Sequence, residues 1–386
     1  MNILFTNHRL TRRGGTEAII RDLALNLMPR GHKVVVYSSR PPPPGNSLAD
    51  EGVPIITRLD DLPFTPDVIH GHHNMDAMAA IMALPGTPAV YCCHGATRSD
   101  SQPRHPRIMR YTAMTSSLKL RMSTESNIPE SMIEVVHNAV DLKRFRNVRE
   151  LPPQPRSILV YSRVVVEANP LGIAIKEAAD QRGLKVDFVR AGGDGRQITN
   201  PEVGLLDYDI VFASGKSAID AMACGCSVVI VGGSGGGWAA VGCGEMVTMG
   251  NFERMRLANF SGPLNAPSPT ASEVGTQIDR YDVEPVVAVT RHVRDVAGFG
   301  PFADRYLAIY RSVIDLARSG WDRRAEQYAA HHYLRSLFTW VQLGEQTRMD
   351  DDALAIGKGA GLPRRVVNAP LLIAEVERSL ASIEAR

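Results

Sequence analysis

Asp209 to Gly237 reads DIVFASGKSAIDAMACGCSVVIVGGSGGG. Two short apolar runs, Ile210 to Phe212 and Val228 to Val231, bracket a segment in which Ala218, Ile219, Met222 and Ala223 recur at helical spacing. The pattern is strand, loop, helix, strand, the repeating unit of a parallel α/β sheet. Its loop, Ala213-Ser214-Gly215-Lys216-Ser217, falls between a strand's carboxyl end and a helix N-terminus, where such sheets hold their ligands. A helix N-terminus supplies unpaired N–H groups and a partial positive charge, to which Lys216 and two hydroxyls add donors. These make a seat for phosphate. The Gly-Lys-Ser triplet is not a Walker A loop, because that motif needs a glycine five residues before the Gly-Lys pair and position 210 is isoleucine.

The run DAMACGCSVVIVGG resembles the EAMACGxPVV segment of retaining glycosyltransferases of the GT-B fold, the large family four type. In that family the helix carries the second glutamate of a Glu-x7-Glu pair, and Asp220 stands at its position. The resemblance implies that Asp220 accepts hydrogen bonds from a nucleotide ribose. The first glutamate falls at position 212, which is phenylalanine, so the family's contact to the donor sugar is missing there. Without the resemblance, Asp220 reads equally as a first-turn acid favoured by the helix dipole.

A chain of 386 residues exceeds what one hydrophobic core usually serves, so two domains are expected. Hydrophobic residues make up 44% and charged residues 22%, as in ordinary α/β proteins, and the net charge of +2 gives no reason to expect nucleic acid. Cys92, Cys93, Cys224, Cys226 and Cys243 lie in or beside apolar runs without zinc spacing, and are read as reduced, buried thiols of a cytoplasmic protein. MNILFTNHR lacks the apolar core of a signal peptide, and no run is long enough to span a bilayer.

Asn2 to Thr6 reads as a first strand. A glycine loop, a helix with Ala18, Ile19, Leu23 and Leu27 at core spacing, a stop at Gly31 and a second strand follow. This βαβ opening lacks the G-x-G-x-x-G fingerprint of a nicotinamide site. Gly14-Gly15-Thr16-Glu17 resembles the GGxE loop of the same glycosyltransferases, which faces the donor across the cleft; a tight turn before a helix is the alternative. A glycine pair lets backbone N–H groups approach a diphosphate. His70, His72 and His73 have no carboxylate cluster at ligand spacing, so no metal is expected. His94, just beyond the strand-like AVYCC, resembles the family's histidine near the donor sugar.

From Arg98 to Arg121 six cations (Arg98, Arg104, Arg107, Arg110, Lys119, Arg121) meet one acid, Asp100. Such an excess suits an anionic acceptor or an acidic lipid surface, and equally a solvated face. IEVVHNAVDLKRF resembles the family's VIPNGVDLERF through Val135, Asn138, Val140, Asp141 and Phe145, the approach to the interdomain linker. In the second half, Arg163 matches the arginine of the family's phosphate clamp, while the clamp lysine is replaced by Ala168. Lys216 is the nearest motif cation to take its place. Gly192-Gly193-Asp194-Gly195 resembles the family's turn at the base.

The resemblance implies two Rossmann-like doubly wound domains facing a cleft: an acceptor-side domain over 1–150, a donor-side domain over 151–317, and a helical C-terminal extension over 318–386. It implies transfer of a sugar from a nucleotide diphosphate to an unknown acceptor with retention, cell-surface polysaccharide or glycoconjugate synthesis being one setting. The expected catalytic residues are His94, Arg163 and Lys216. The expected donor-binding residues are Gly14, Gly15, Gly193, Ser214, Gly215, Ser217 and Asp220. No metal or other cofactor is expected. The acceptor is expected to be anionic or lipid-linked, reached from the cytoplasmic face of a membrane. Two other readings stay open: a catalytically impaired GT-B protein that binds a nucleotide sugar or a partner, and a nucleotide-sugar epimerase.

Overall fold

The computed structural model describes residues 1–8, 10, 15–40, 47–95, 101–189, 198, 200–233, 241–262 and 269–357. In chain order the elements are β1 (Asn2–Thr6), α1 (Gly15–Leu27), β2 (Lys33–Tyr37), α2 (Ser47–Asp50), β3 (Ile55–Ile56), β4 (Val68–His72), α3 (Asn74–Ala83), β5 (Ala89–Cys93), β6 (Ile108–Ala113), α4 (Ser116–Glu125) and β7 (Ile133–Val135). The second half supplies β8 (Ser157–Tyr161), α5 (Pro170–Asp180), β9 (Lys185–Val189), α6 (Pro201–Gly204), β10 (Ile210–Ala213), α7 (Gly215–Ala223), β11 (Ser227–Gly233), β12 (Val241–Met246), α8 (Phe252–Leu257), α9 (Ala271–Ile278) and α10 (Val283–Val296). Two long helices follow, α11 (Phe299–Ala317) and α12 (Arg323–Gly357).

The strands form two sheets, ordered β3-β2-β1-β4-β5-β6-β7 and β12-β11-β10-β8-β9. Every pairing in the first sheet is parallel. In the second sheet only β12 runs antiparallel, against β11. Strands this apolar are covered on both faces, and successive side chains divide between them. Ile3 and Phe5 join the core under α1, whereas Leu4 joins the core under α3. Leu159 and Val211 face α7, whereas Ile158, Val160 and Phe212 face α5. This is the two-domain GT-B arrangement of Rossmann-like sheets.

The order of each sheet fixes where a ligand sits. The first reverses direction between β1 and β4, the second between β8 and β10, and ligands of doubly wound sheets bind at the carboxyl ends of such a pair. Most of the candidate residues fall after β1, β8 and β10, at these switch points, while His94 follows β5.

The last two helices return to the first domain. Phe302, Tyr306 and Tyr310 of α11 are buried beside Ile3, Phe5 and Ile19. Val140 N–H donates to Ala297 O at 2.8 Å just before this crossing. In α12, Ala330 and Leu334 are buried and the Tyr333 hydroxyl donates to Asn74 Oδ1 at 3.1 Å. Arg107 corrects the picture of a uniformly solvated basic stretch: it is 2% exposed, donates to Leu84 O at 2.5 Å and pairs with Glu326 of α12. Among the described residues no helix is long and apolar enough to cross a membrane.

Candidate active site

At the switch point of the second sheet, Tyr161 at the end of β8 pairs in register with Ala213 at the end of β10. This places the loop after β8 beside the start of α7. The β8 loop is tied down by its own side chains. Ser162 Oγ accepts from the N–H groups of Val164 and Val165, both at 3.2 Å, and Asn169 Oδ1 caps α5 by accepting from Gly172 N–H at 2.9 Å. Arg163 is held exposed near the start of this braced loop. Ala168 is exposed in the same loop, so the second clamp position carries no cation.

Across the switch point, α7 begins three residues earlier than the sequence suggests. Ala213 still belongs to β10, Ser214 is the N-cap without a side-chain capping bond, and Gly215 is already helical. Gly215 has φ +56°, a region that L side chains rarely adopt, and its N–H donates to Phe260 O at 3.1 Å. Asn259 and Phe260 both hold left-handed backbone, φ +53° and +48°. Strain of this kind persists only where surroundings over-determine it, and it clusters at functional sites. Here it sets Asn259 Oδ1 to accept from Asn138 Nδ2 at 2.7 Å, one of the contacts that join the second domain to the approach to the linker.

The side chains of α7 form the centre of the site. Lys216 Nζ lies 2.5 Å from Asp220 Oδ1, one turn on, and 3.6 Å from Asp22 Oδ2 of α1 in the first domain. It also stands 5.4 Å above the Phe145 ring. All three ionic side chains are at most 10% exposed. Burial pushes the Asp220 carboxyl up to about 6, with Lys216 opposing the rise, and burial raises Asp22 as well. The two carboxylates outweigh burial at Lys216 and hold its ammonium above its ordinary value. Arg21 pairs with Asp22 at 2.8 Å and Arg144 with Glu202 at 2.8 Å, adding guanidinium charge around the triad.

The expected residues thus separate into groups. Ser214, Gly215, Lys216, Ser217 and Asp220 come together at the N-terminal end of α7, with Arg163 on the adjoining loop. Ser217 hydrogen-bonds the Tyr161 hydroxyl. Gly15 opens α1 at the first sheet's switch point and is exposed. His94 follows β5, and its Nε2 lies 2.6 Å from His72 Nδ1 with the two rings stacked. Gly14 and Gly193 lie outside the described residues. Phe212 is fully buried on the α5 face of β10, which explains why no carboxylate can act from that position. Sequence reasoning missed Asp22, Arg144 and Asn259. Nothing in the periodicity of α1 marks Asp22, though an acid within its otherwise apolar stripe, directly before Leu23, was a legible anomaly.

Behind His94 lies a buried row of imidazoles. His70 and His72 stack at 4.4 Å, and His70 Nδ1 lies 2.6 Å from the Tyr310 hydroxyl. Burial drives His70 down to about 3 and His72 well below its ordinary value, so both are neutral at pH 7.

Comparison with known proteins agrees with this fold. The profile described as Glycosyltransferase Family 4 matches residues 55–144. No curated protein matches the chain in sequence. Among solved structures, a glycosyltransferase from Rickettsia africae ESF-5 is 14% identical, with 81% of this chain and 98% of that chain covered and a TM-score of 0.55. The lipopolysaccharide outer core galactosyltransferase WaaB is 12% identical, covers 81% of this chain and 100% of its own, and has a TM-score of 0.49. WaaG, a glycosyltransferase involved in lipopolysaccharide biosynthesis, is 12% identical, covers 80% and 99%, and also has a TM-score of 0.49. At such identities the likeness to the Rickettsia structure is one of fold. The fold is GT-B, and the stretch from β3 to the linker carries the family match. The chain thus combines a GT-B fold with a segment, residues 55–144, that matches a glycosyltransferase family.

Proposed function

We propose that the chain transfers a sugar from a nucleotide diphosphate to its acceptor with retention, with the donor seated at the β8/β10 switch point. The observation that carries this reading is the position of Lys216. It stands in the first turn of α7, beside the Arg163 loop, and reaches Asp22 of the opposite domain. Cation and helix N-terminus meet there at the seam between the domains, with Arg163 exposed on the adjoining loop.

In the reaction the bond between the anomeric carbon and the diphosphate oxygen breaks, and the diphosphate takes up the electron pair. Arg163, Lys216 and the N–H groups opening α7 stabilise that growing charge, an effect worth more in a water-poor seam than in bulk water. The acceptor oxygen bonds to the same face of the sugar, and its proton passes to the departing phosphate oxygen. Asp220 holds the ribose, while Ser214, Gly215 and Ser217 line the phosphates. Gly14 and Gly15 meet the diphosphate from the first domain, Gly193 approaches the base and His94 orients the sugar. Cations and the helix dipole carry the phosphate charge, so neither a metal nor another cofactor is required at the diphosphate. The acceptor is anionic or lipid-linked, met by a cytoplasmic enzyme at the inner face of a membrane, in cell-surface polysaccharide or glycoconjugate synthesis.

The test is a Lys216→Met variant titrated with UDP, GDP and ADP. Loss of diphosphate affinity supports the seat, and unchanged affinity sinks it. One second reading has an observation in its favour. Phe212 in the core and Ala168 in the loop remove two donor contacts, which suits a protein that binds the donor without turnover; product formation from a bound nucleotide sugar decides against it.

A further inference from the structure

The first domain holds three metal-ligating side chains in a pattern that the diphosphate site does not use. His70 and His72 are two residues apart on β4, and a strand sends such residues to the same face. Cys92 on β5 pairs in register directly opposite His72. One ligand atom from each of the three lies within 4.8 Å of the others, and all three side chains are fully buried. On the opposite face of β4, Gly71 leaves no room for a side chain, since a Cβ there would stand 2.8 Å from Ala77 Cβ. Close packing on that side fixes the depth of the strand carrying the two histidines.

The hydrogen bonding of the histidines is incomplete in one specific way. Each Nδ1 is engaged, His70 with the Tyr310 hydroxyl and His72 with His94 Nε2, both at 2.6 Å. Each Nε2 is buried without a hydrogen-bond partner among the described residues. A buried imidazole nitrogen left in this way is costly as either tautomer. A cation removes the cost for both rings at once: with Nδ1–H donating to its partner, each Nε2 presents a lone pair. A ligating histidine almost always donates its other ring N–H to such an outer group, which fixes tautomer and ring orientation. The third ligand is also supported from behind, with Cys92 Sγ 3.5 Å from the Tyr306 hydroxyl.

We propose that His70 Nε2, His72 Nε2 and Cys92 Sγ form a binding site for one borderline-soft divalent ion, zinc by preference. Two imidazoles and a thiolate match zinc in ligand type, and three protein ligands leave a fourth position of a tetrahedron open. Binding releases the Cys92 thiol proton to solvent and forms one Zn–S and two Zn–N bonds, with no change of oxidation state. Because His72 holds His94 through its other nitrogen, a bound ion also fixes the orientation of His94. The ion's three ligands are none of the residues gathered at the start of α7.

The test uses the full chain, purified without a metal-affinity step, stripped with a chelator and titrated with cobalt(II) as a spectroscopic stand-in. One equivalent is expected, with a near-ultraviolet thiolate-to-cobalt band and the visible bands of a four-coordinate site; elemental analysis of untreated protein is expected to find zinc. In Cys92→Ser the near-ultraviolet band disappears. In Tyr310→Phe, which keeps the aromatic packing and removes only the hydroxyl behind His70, affinity falls about 10- to 100-fold. Circular dichroism of the stripped variants shows whether each is folded. The proposal is overturned if folded wild-type protein shows no cobalt bands, or if the bands persist unchanged in folded Cys92→Ser. Should Cys92→Ser fail to fold, unchanged cobalt affinity in Tyr310→Phe overturns it.

Discussion

Lys216 of α7 and Asp22 of α1 stand 3.6 Å apart, Nζ to Oδ2, across the seam between the two domains. They are separated by half the length of the chain, yet both side chains are at least nine-tenths buried. The lysine is shared between Asp22 and Asp220, which keep it charged and in place; on the proposed reading an arriving diphosphate competes with these two carboxylates for it.

Replacing Lys216 by Met is expected to lower diphosphate affinity by more than about tenfold, equivalent to roughly 1.4 kcal/mol. It also leaves Asp22 and Asp220 buried without their shared partner, a change that costs about 3–5 kcal/mol of stability. Calorimetric titration reads the first effect and thermal melting the second. Asp22→Asn, which leaves Lys216 with Asp220, is expected to melt closer to wild type.

Asp220 gives a pH signature. Its carboxyl is raised to about 6 from an ordinary 3.8, so between those values the native state binds the proton more tightly than the unfolded chain. The sign is therefore a stability contribution present at low pH and lost as pH rises through about 6. Measured by urea unfolding, wild type should gain on Asp220→Asn as pH falls from 7 towards 4.5, by no more than about 3 kcal/mol at 1.36 kcal/mol per unit. A difference between the two proteins that stays flat across this range contradicts the assignment.

The C-terminal helix is anchored by charge as well as by apolar contact. Arg107 is fully inside and donates to the carbonyls of Ile81, Leu84 and Thr87, while its Nε meets Glu326 of α12. Glu326→Ala removes the one carboxylate that pairs with this guanidinium among the described residues, and Glu326 itself is 20% exposed, so the expected loss is about 1–3 kcal/mol rather than the full cost of a deeply buried pair. Faster hydrogen exchange over 323–338, with β1 to β5 unchanged, is the accompanying observation.

Gly225, between Cys224 and Cys226, holds φ +89°, and a Cβ there would stand 2.9 Å from Arg149 O. Gly225→Ala is expected to cost about 1–3 kcal/mol through backbone strain and this close approach, read as a lowered melting temperature. The spacing of the two cysteines follows from the turn that ends α7, not from redox chemistry. Burial raises both thiols, Cys224 to about 12.

The sequence carried the units built from neighbouring residues. Strand, helix and strand from Asn2 to Tyr37, and again from Ile210 to Gly233, were legible because apolar spacing and glycine stops are local signals. Phe212 was also legible as a departure, and the fold explains it: the position points into the α5 core. What stayed hidden was long-range. Asp22 meets Lys216, Asn138 meets Asn259 and His70 meets Tyr310 only because sheet order and the return of α11 bring them together. The placing of Cys92 opposite His72 was hidden for the same reason, since it lies on the next strand, 20 residues on and set by register.

The most direct measurement is calorimetric titration of the purified chain with UDP, GDP, ADP and NAD in metal-free buffer. The account predicts saturable binding of at least one nucleoside diphosphate, silence with NAD, and a raised melting temperature in the presence of the bound nucleotide. No binding of any nucleoside diphosphate to the folded protein would contradict it, and would mean that Phe212 and Ala168 mark a donor site already lost.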